Sequence, residues 1–302
     1  MSDAVPGPLA VVAHFNLLER LEPSGPGDLF RARDTKFGRT VVVRILPEGF
    51  ISAAGHGEFI AQARGLIALS HPNVTAVFGV GEHEGRLYLV FEFLKGQSLR
   101  SEMGGRPINV RRALDLAIQM ADAVADAHAW GYVHGGLSPE SIVITAKGHA
   151  KVPAFALASR EGFASAAEGR LHDYDSPEEA RGLSSDERSD IYSVGAILFE
   201  MLTARRPPHR GAAAPSGANP HVPRELDDVA LKAVAPNPDS RYQSAAAFAA
   251  ALRGVGSTLD ARGLLGDEPD LELLPHSRVG ATLTMTILIL LGIAAIVWWV
   301  LR

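Results

Sequence analysis

The sequence predicts an α+β protein of two lobes, a small β-rich lobe followed by a larger helical one, with a single transmembrane helix beyond them. Three observations lead there. Runs rich in β-branched and aromatic residues crowd the chain before Phe93. After Gly96, apolar residues recur at three- and four-residue spacing, the mark of buried helix faces. Val279 to Leu301 is then an uncharged run of 23 residues between Arg278 and Arg302.

Residues 1–14 read as a short tail, and residues 15–93 as the β-rich lobe. Thr40 to Leu46 and Leu87 to Phe93 have strand composition. Between them Phe59, Leu66 and Leu69 mark a helix that stops before His71-Pro72-Asn73. The helical lobe covers about 97–253. Leu114, Ala117, Ile118, Ala121, Val124, Ala125 and His128 form one helix face, and Val194, Ile197, Leu198, Met201 and Leu202 another, in a helix from about Asp190. Further helices begin near Leu226 and near Gln243, the last ending about Leu252. Gly211 to Asn219 reads as loop. Glycines and the acids Asp267, Glu268, Asp270 and Glu272 make 254–278 a solvated juxtamembrane linker.

A helix over 279–301 spans about 34 Å, enough for a hydrocarbon core of roughly 30 Å. Trp298 and Trp299 suit an interfacial belt at its far end. Met1 to Pro6 lacks the basic and apolar regions of a signal peptide. The expected arrangement is a single-pass C-terminal anchor with the preceding domain in the cytoplasm.

Composition excludes several function classes. The chain has 302 residues and a formal charge of −5, with acids and bases interspersed, so no nucleic-acid partner is expected. It contains no cysteine, which rules out disulfides, thiolate metal sites and a Cys nucleophile. Its 11 histidines are scattered without metal-ligand spacing.

The motifs sharpen the fold. His71-Pro72-Asn73-Val74, Tyr132-Val133-His134, Leu137 to Ile142, Ser176-Pro177-Glu178, Ser189 to Gly195 and Pro238 to Ser244 follow one another in fixed order. In that order and spacing the chain resembles a bacterial-type Ser/Thr protein kinase domain over about Phe15 to Arg253. The resemblance implies the two-lobed protein kinase-like fold. It also implies a nucleotide cleft at Gly25, Gly27, Leu29, Val42, Arg44, Phe91 and Val143, and structural roles for His134, Phe155, Leu66, Glu178, Asp190 and Arg241. Glu178 is expected to pair with Arg241, and Asp190 to hold the catalytic-loop backbone. Phe155, His134 and Leu66 form a column between the lobes.

At the positions that carry chemistry the chain departs from the family. Glu22 and Ser24 replace two loop glycines. Arg44 stands for the strand lysine and Gln62 for the helix glutamate; a planar guanidinium is not equivalent to an ammonium. Val42 narrows the adenine pocket. The His-Arg-Asp triplet is His134-Gly135-Gly136, so Gly136 replaces the base. Ser138 replaces the loop lysine, and Ser141 and Ala154 replace the two metal ligands. Ser159 and Ser165 lie in the presumed activation segment, whose usual threonine is replaced near Arg170 or Leu171; both serines read as solvated loop residues.

These substitutions imply that ATP and Mg²⁺ are not bound productively and that the chain is not an enzyme. It would be a pseudokinase serving as a membrane-tethered scaffold or allosteric partner. Its partners would be an active kinase, a phosphopeptide-binding module or an envelope protein. Two alternatives stay open: a metal-independent nucleotide sensor, and an atypical ATP-dependent transferase or Ser/Thr kinase with relocated catalytic residues.

Overall fold

The computed structural model describes residues 8–21, 27–52, 55–153, 173–208 and 211–263. The first lobe is a six-stranded antiparallel sheet of β1 (Ala10–Val12), β2 (Phe15–Leu21), β3 (Asp28–Asp34), β4 (Arg39–Ile45), β5 (Val77–His83) and β6 (Arg86–Glu92), ordered β1-β2-β3-β4-β6-β5. Strand β1 lies inside the stretch read as tail and pairs only along the outer edge of β2.

Strand alternation divides the sheet into two faces. Val41, Val43, Ala32 and Val90 join Phe15 and Leu17 in one apolar cluster. On the opposite face, helix α1 (His56–Ala68) brings Phe59 and Ala63 against Leu46, Leu87 and Leu89. Register pairs Leu29 with Arg44 and Val42 with Phe91 on that second face.

The second lobe is built on α3 (Val110–Ala129) and the almost wholly buried α4 (Glu187–Thr203), after the short α2 (Leu99–Met103). A small sheet of β7 (Gly96–Ser98), β8 (Val143–Thr145) and β9 (Ala150–Lys151) lies beside them. Helices α5 (Pro215–Ala218), α6 (Arg224–Ala233) and α7 (Ala245–Ala261) complete it. Thus one short helix interrupts the stretch read as loop, and α7 runs beyond Leu252 into the stretch read as linker.

The lobes meet at the His71-Pro72-Asn73 turn. The His71 ring accepts from the Asn73 amide at 3.1 Å. The Asn73 side chain donates to Gln119 of α3 at 2.9 Å and to the Ala150 carbonyl at 2.8 Å. Its carbonyl accepts from Val152 at 2.7 Å, and Val74 forms a parallel bridge with Val152. One asparagine therefore ties the turn to a helix and a strand of the other lobe.

Gly25 of the cleft, Glu22, Ser24, Ala154, Phe155, Ser159, Ser165, Arg170 and Leu171, the acidic linker and 279–301 lie outside the described residues. Among the described residues no helix is long and apolar enough to cross a membrane.

Candidate functional site

The loop from His134 to Ser141 is held from behind. Asp190, in the first turn of α4, is fully buried. Its carboxylate accepts the His134 amide at 2.7 Å and the Gly135 amide at 2.9 Å. His128, at the end of α3, donates its Nε2 proton to the same carboxylate at 2.8 Å. Burial pushes the His134 imidazole below the ordinary histidine pKa; Asp190 opposes that shift and His128 adds to it. Both ring nitrogens of His134 are shielded from solvent, which suits packing rather than proton exchange with a substrate.

On its open side the loop offers little chemistry. Gly136 has no side chain, and among the described residues no atom beyond its chain neighbours lies within 4 Å of where a Cβ would be. The Ser141 hydroxyl donates to the Ser138 carbonyl at 2.9 Å and accepts the Ser138 amide at 3.3 Å, closing a local turn.

The fold family implies Mg²⁺ at this place, and the residues present do not fit it. A magnesium ion takes hard oxygen ligands, carboxylate above all. The proton and one lone pair of Ser141 are committed to the loop backbone, and the alanine at position 154 has no side-chain oxygen. Among the described residues no group of three or more His, Cys, Asp or Glu is placed to hold a metal.

On the sheet side, Arg44 shares a face with Leu29, Val42 and Phe91, the side that α1 partly covers. Its Nε is shielded from solvent, and burial lowers the guanidinium pKa. Gln62 donates its side-chain amide to Glu58 one turn earlier at 3.0 Å, so it lies along α1. Gly27 has φ +86°, and a Cβ there would stand 2.2 Å from the Ile45 carbonyl oxygen. Strand packing alone demands this glycine. Val143 opens β8 in the other lobe, opposite Ser98 and Lys151.

The architectural residues are densely bonded. Arg241, with a fully buried side chain, donates to both Glu178 oxygens at 2.6 and 2.7 Å and to the Ala235 carbonyl at 2.8 Å. Ser189 adds a third hydrogen bond to Glu178 at 2.9 Å. Burial pushes the Glu178 carboxyl upward, but Arg241 outweighs it and holds the pKa at about 2. Leu66 is buried on α1, while its expected companion Phe155 falls outside the described residues.

Sequence reasoning missed three groups: the partnership of His128 with Asp190, a clasp between Lys151 and Glu92, and a cluster around Arg100. Lys151 donates to Glu92 at 3.0 Å and to the Val74 carbonyl at 3.2 Å. Arg100 binds Glu140 at 2.7 Å and Glu200 at 2.8 Å, and Tyr174 donates its hydroxyl to Glu200. These partners lie up to 100 positions apart, beyond any local pattern.

Comparison with known proteins places this architecture. Residues 26–241 match the protein tyrosine and serine/threonine kinase family. The serine/threonine-protein kinase PrkC of Bacillus subtilis is 31% identical over 258 residues, covering 78% of this chain and 39% of that protein. PknB of Mycolicibacterium smegmatis is 34% identical over 298 residues, with 88% and 48% covered. The chain thus spans less than half the length of these curated relatives. The solved kinase domain of PknI from Mycobacterium tuberculosis superposes with a TM-score of 0.67 at 22% identity, covering 84% of this chain and 99% of that one. It shows the two-lobed kinase fold.

The relatives correct one expectation, that the chain is not an enzyme. Proteins about one-third identical over most of its length are named Ser/Thr protein kinases, which points to an enzyme. The expectation rests on each missing role alone being enough to cripple phosphoryl transfer. Groups that act as a unit are not additive, and catalysis that rests on binding and positioning survives the loss of single members.

Proposed function

Because this chain belongs to the protein tyrosine and serine/threonine kinase family, we propose that it is a Ser/Thr kinase-type signalling domain with phosphoryl transfer much slower than that of its relatives. Its output comes chiefly from holding a protein partner, as a scaffold or allosteric subunit. One observation carries this reading. The catalytic-type loop keeps its backbone fixed on Asp190, yet Gly136 presents no base and Ser141 is bonded to the loop itself.

An active kinase, a phosphopeptide-binding module or an envelope protein is the proposed partner. The apolar run 279–301 is the proposed tether, with the kinase-type domain on the cytoplasmic face. ATP with Mg²⁺ is proposed not to be held in the productive geometry of the relatives.

The test is single-turnover transfer from labelled ATP to a generic Ser/Thr substrate, using the full chain and the triple variant Gly136→Asp, Ser141→Asn, Ala154→Asp. Among the described residues none crowds a side chain at position 136, and its backbone lies outside the left-handed region. A general base alone supplies about 10²–10⁴ in rate, so the variant should gain at least that order. Turnover of the unaltered chain at roughly 1–100 s⁻¹, the usual kinase range, would sink the proposal.

A further inference from the structure

We infer that the second lobe carries a docking groove for an acidic peptide segment of a protein partner, apart from the nucleotide cleft. This deepens the reading above and rests on it for the claim that the chain works by holding a protein. The groove has a volume of about 410 Å³ and lies where β7, the turn between β8 and β9, α2 and α3 come together. None of the described residues expected to form the nucleotide cleft lines it.

Its floor is a guanidinium held in place. Arg112 of α3 donates through Nε to Glu102 of α2 at 2.9 Å and through Nη1 to the Gly148 carbonyl at 2.7 Å. Its Nη2 lies 2.9 Å from the same Glu102 oxygen. A guanidinium has five N–H donors, so these contacts engage three and leave two for a ligand. Glu102 cancels the charge of Arg112, while the planar fork that matches a carboxylate stays fixed in the groove.

The rim supplies net positive charge. Lys95 precedes the lining residue Gly96, and Lys147 stands between the lining residues Ala146 and Gly148. The Ala146 amide donates to the Lys95 carbonyl at 3.3 Å, so the two lysine-bearing segments run side by side. Both lysines are exposed, and the acid that lines the groove, Glu102, is committed to Arg112. Two lysines beside a neutral floor attract a segment rich in Asp or Glu and repel a basic one. The shape of the site favours a peptide over a small anion. Strand β7 is an edge of its sheet, and its Gly96 and Gln97 are exposed, so it presents main-chain groups to an extended chain.

The experiment is fluorescence anisotropy of a labelled decapeptide of alternating glutamate and alanine, titrated with the full chain; its control has glutamine for glutamate. The acidic peptide should bind and the control should not. Raising salt from about 50 to about 500 mM should weaken the complex severalfold, because exposed charges are screened. Lys95→Ala with Lys147→Ala should weaken binding by roughly tenfold, the size of two exposed charge interactions. Both side chains are exposed, so this variant should keep the parent melting temperature. Arg112→Lys keeps the charge and loses the fork, and should also weaken binding by roughly tenfold.

No binding at about 1 mM peptide, equal binding of the glutamine control, or unchanged affinity in the double lysine variant would each overturn the inference. Each of these results leaves the scaffold reading intact. That reading fails separately, on a normal transfer rate.

Discussion

Two regions of the helical lobe have opposite characters. Glu178, Asp190 and Arg241 are each multiply bonded, and Arg241 alone reaches one carboxylate and three backbone carbonyls. Along the cleft side of His134 to Ser141, side chains are missing or folded back on the loop. Yet the loop follows a defined path, because its amides are held by Asp190 from behind. Conformation and chemistry thus have separate supports here. This predicts that residues facing the cleft can change without loss of the fold, whereas those behind the loop cannot.

The largest effect should come from the back of the loop. Asp190→Ala strands the buried His128 ring proton and the part-buried amides of His134 and Gly135. Each stranded donor costs about 1–3 kcal/mol, so denaturant unfolding should show a loss of roughly 3–9 kcal/mol. A loss below about 1 kcal/mol would mean the loop is held by something else.

Glu178→Ala comes next, because it leaves the Arg241 charge buried without its acid. Such a break typically costs about 3–5 kcal/mol. The pair also sets an acid limit. The folded pKa of about 2 lies below the ordinary value of 4.5. Its contribution is therefore complete above pH 4.5 and is lost as pH falls toward 2. Equilibrium unfolding across that window should show this loss in the parent and a flatter profile in Glu178→Ala.

Much of the backbone was legible in the sequence. Thr40 to Leu46 and Leu87 to Phe93 alternate or run apolar as strands must, and the α3 and α4 faces repeat with helical period. Strand β1 was hidden because its three residues gain partners only from the edge of β2. The extension of α7 was hidden by Gly254 and Gly256, which read as linker. In the fold, Gly256 lets α7 approach Leu114, and the Ser257 and Thr258 hydroxyls donate to carbonyls one turn back. For the site, the family resemblance anticipated the Glu178–Arg241 pair. It carried no sign of the inward turn of Ser141 or of His128 behind Asp190. Those depend on side-chain direction and on contacts across 62 positions.

A smaller effect should appear where α1 meets the start of the loop. A Cβ on Gly65 would stand 2.0 Å from the Tyr132 hydroxyl oxygen and 3.3 Å from its ring carbon. Gly65→Ala should cost about 1–3 kcal/mol by overpacking. Tyr132→Phe in the same chain removes the closer atom and should recover most of that loss in the melting temperature. A double variant no better than Gly65→Ala would show that the backbone, not the hydroxyl, resists the methyl group.

The smallest effect should be at Gly136, and it separates the two regions most sharply. Among the described residues nothing beyond the chain neighbours lies within 4 Å of the position a Cβ would take, and the backbone there is outside the left-handed region. An alanine at this position meets no clash and reduces the freedom of the unfolded chain, which at compatible sites stabilises by about 0.4–1 kcal/mol. Gly136→Ala should therefore leave the unfolding midpoint unchanged or slightly raised. Under the same conditions Asp190→Ala, which acts on the neighbouring His134 and Gly135 from behind, should lose several kcal/mol. If Gly136→Ala instead lost as much as Asp190→Ala, the cleft side of the loop would be part of its support. The absence of a side chain at 136 would then be a requirement of the fold and not a feature of its chemistry.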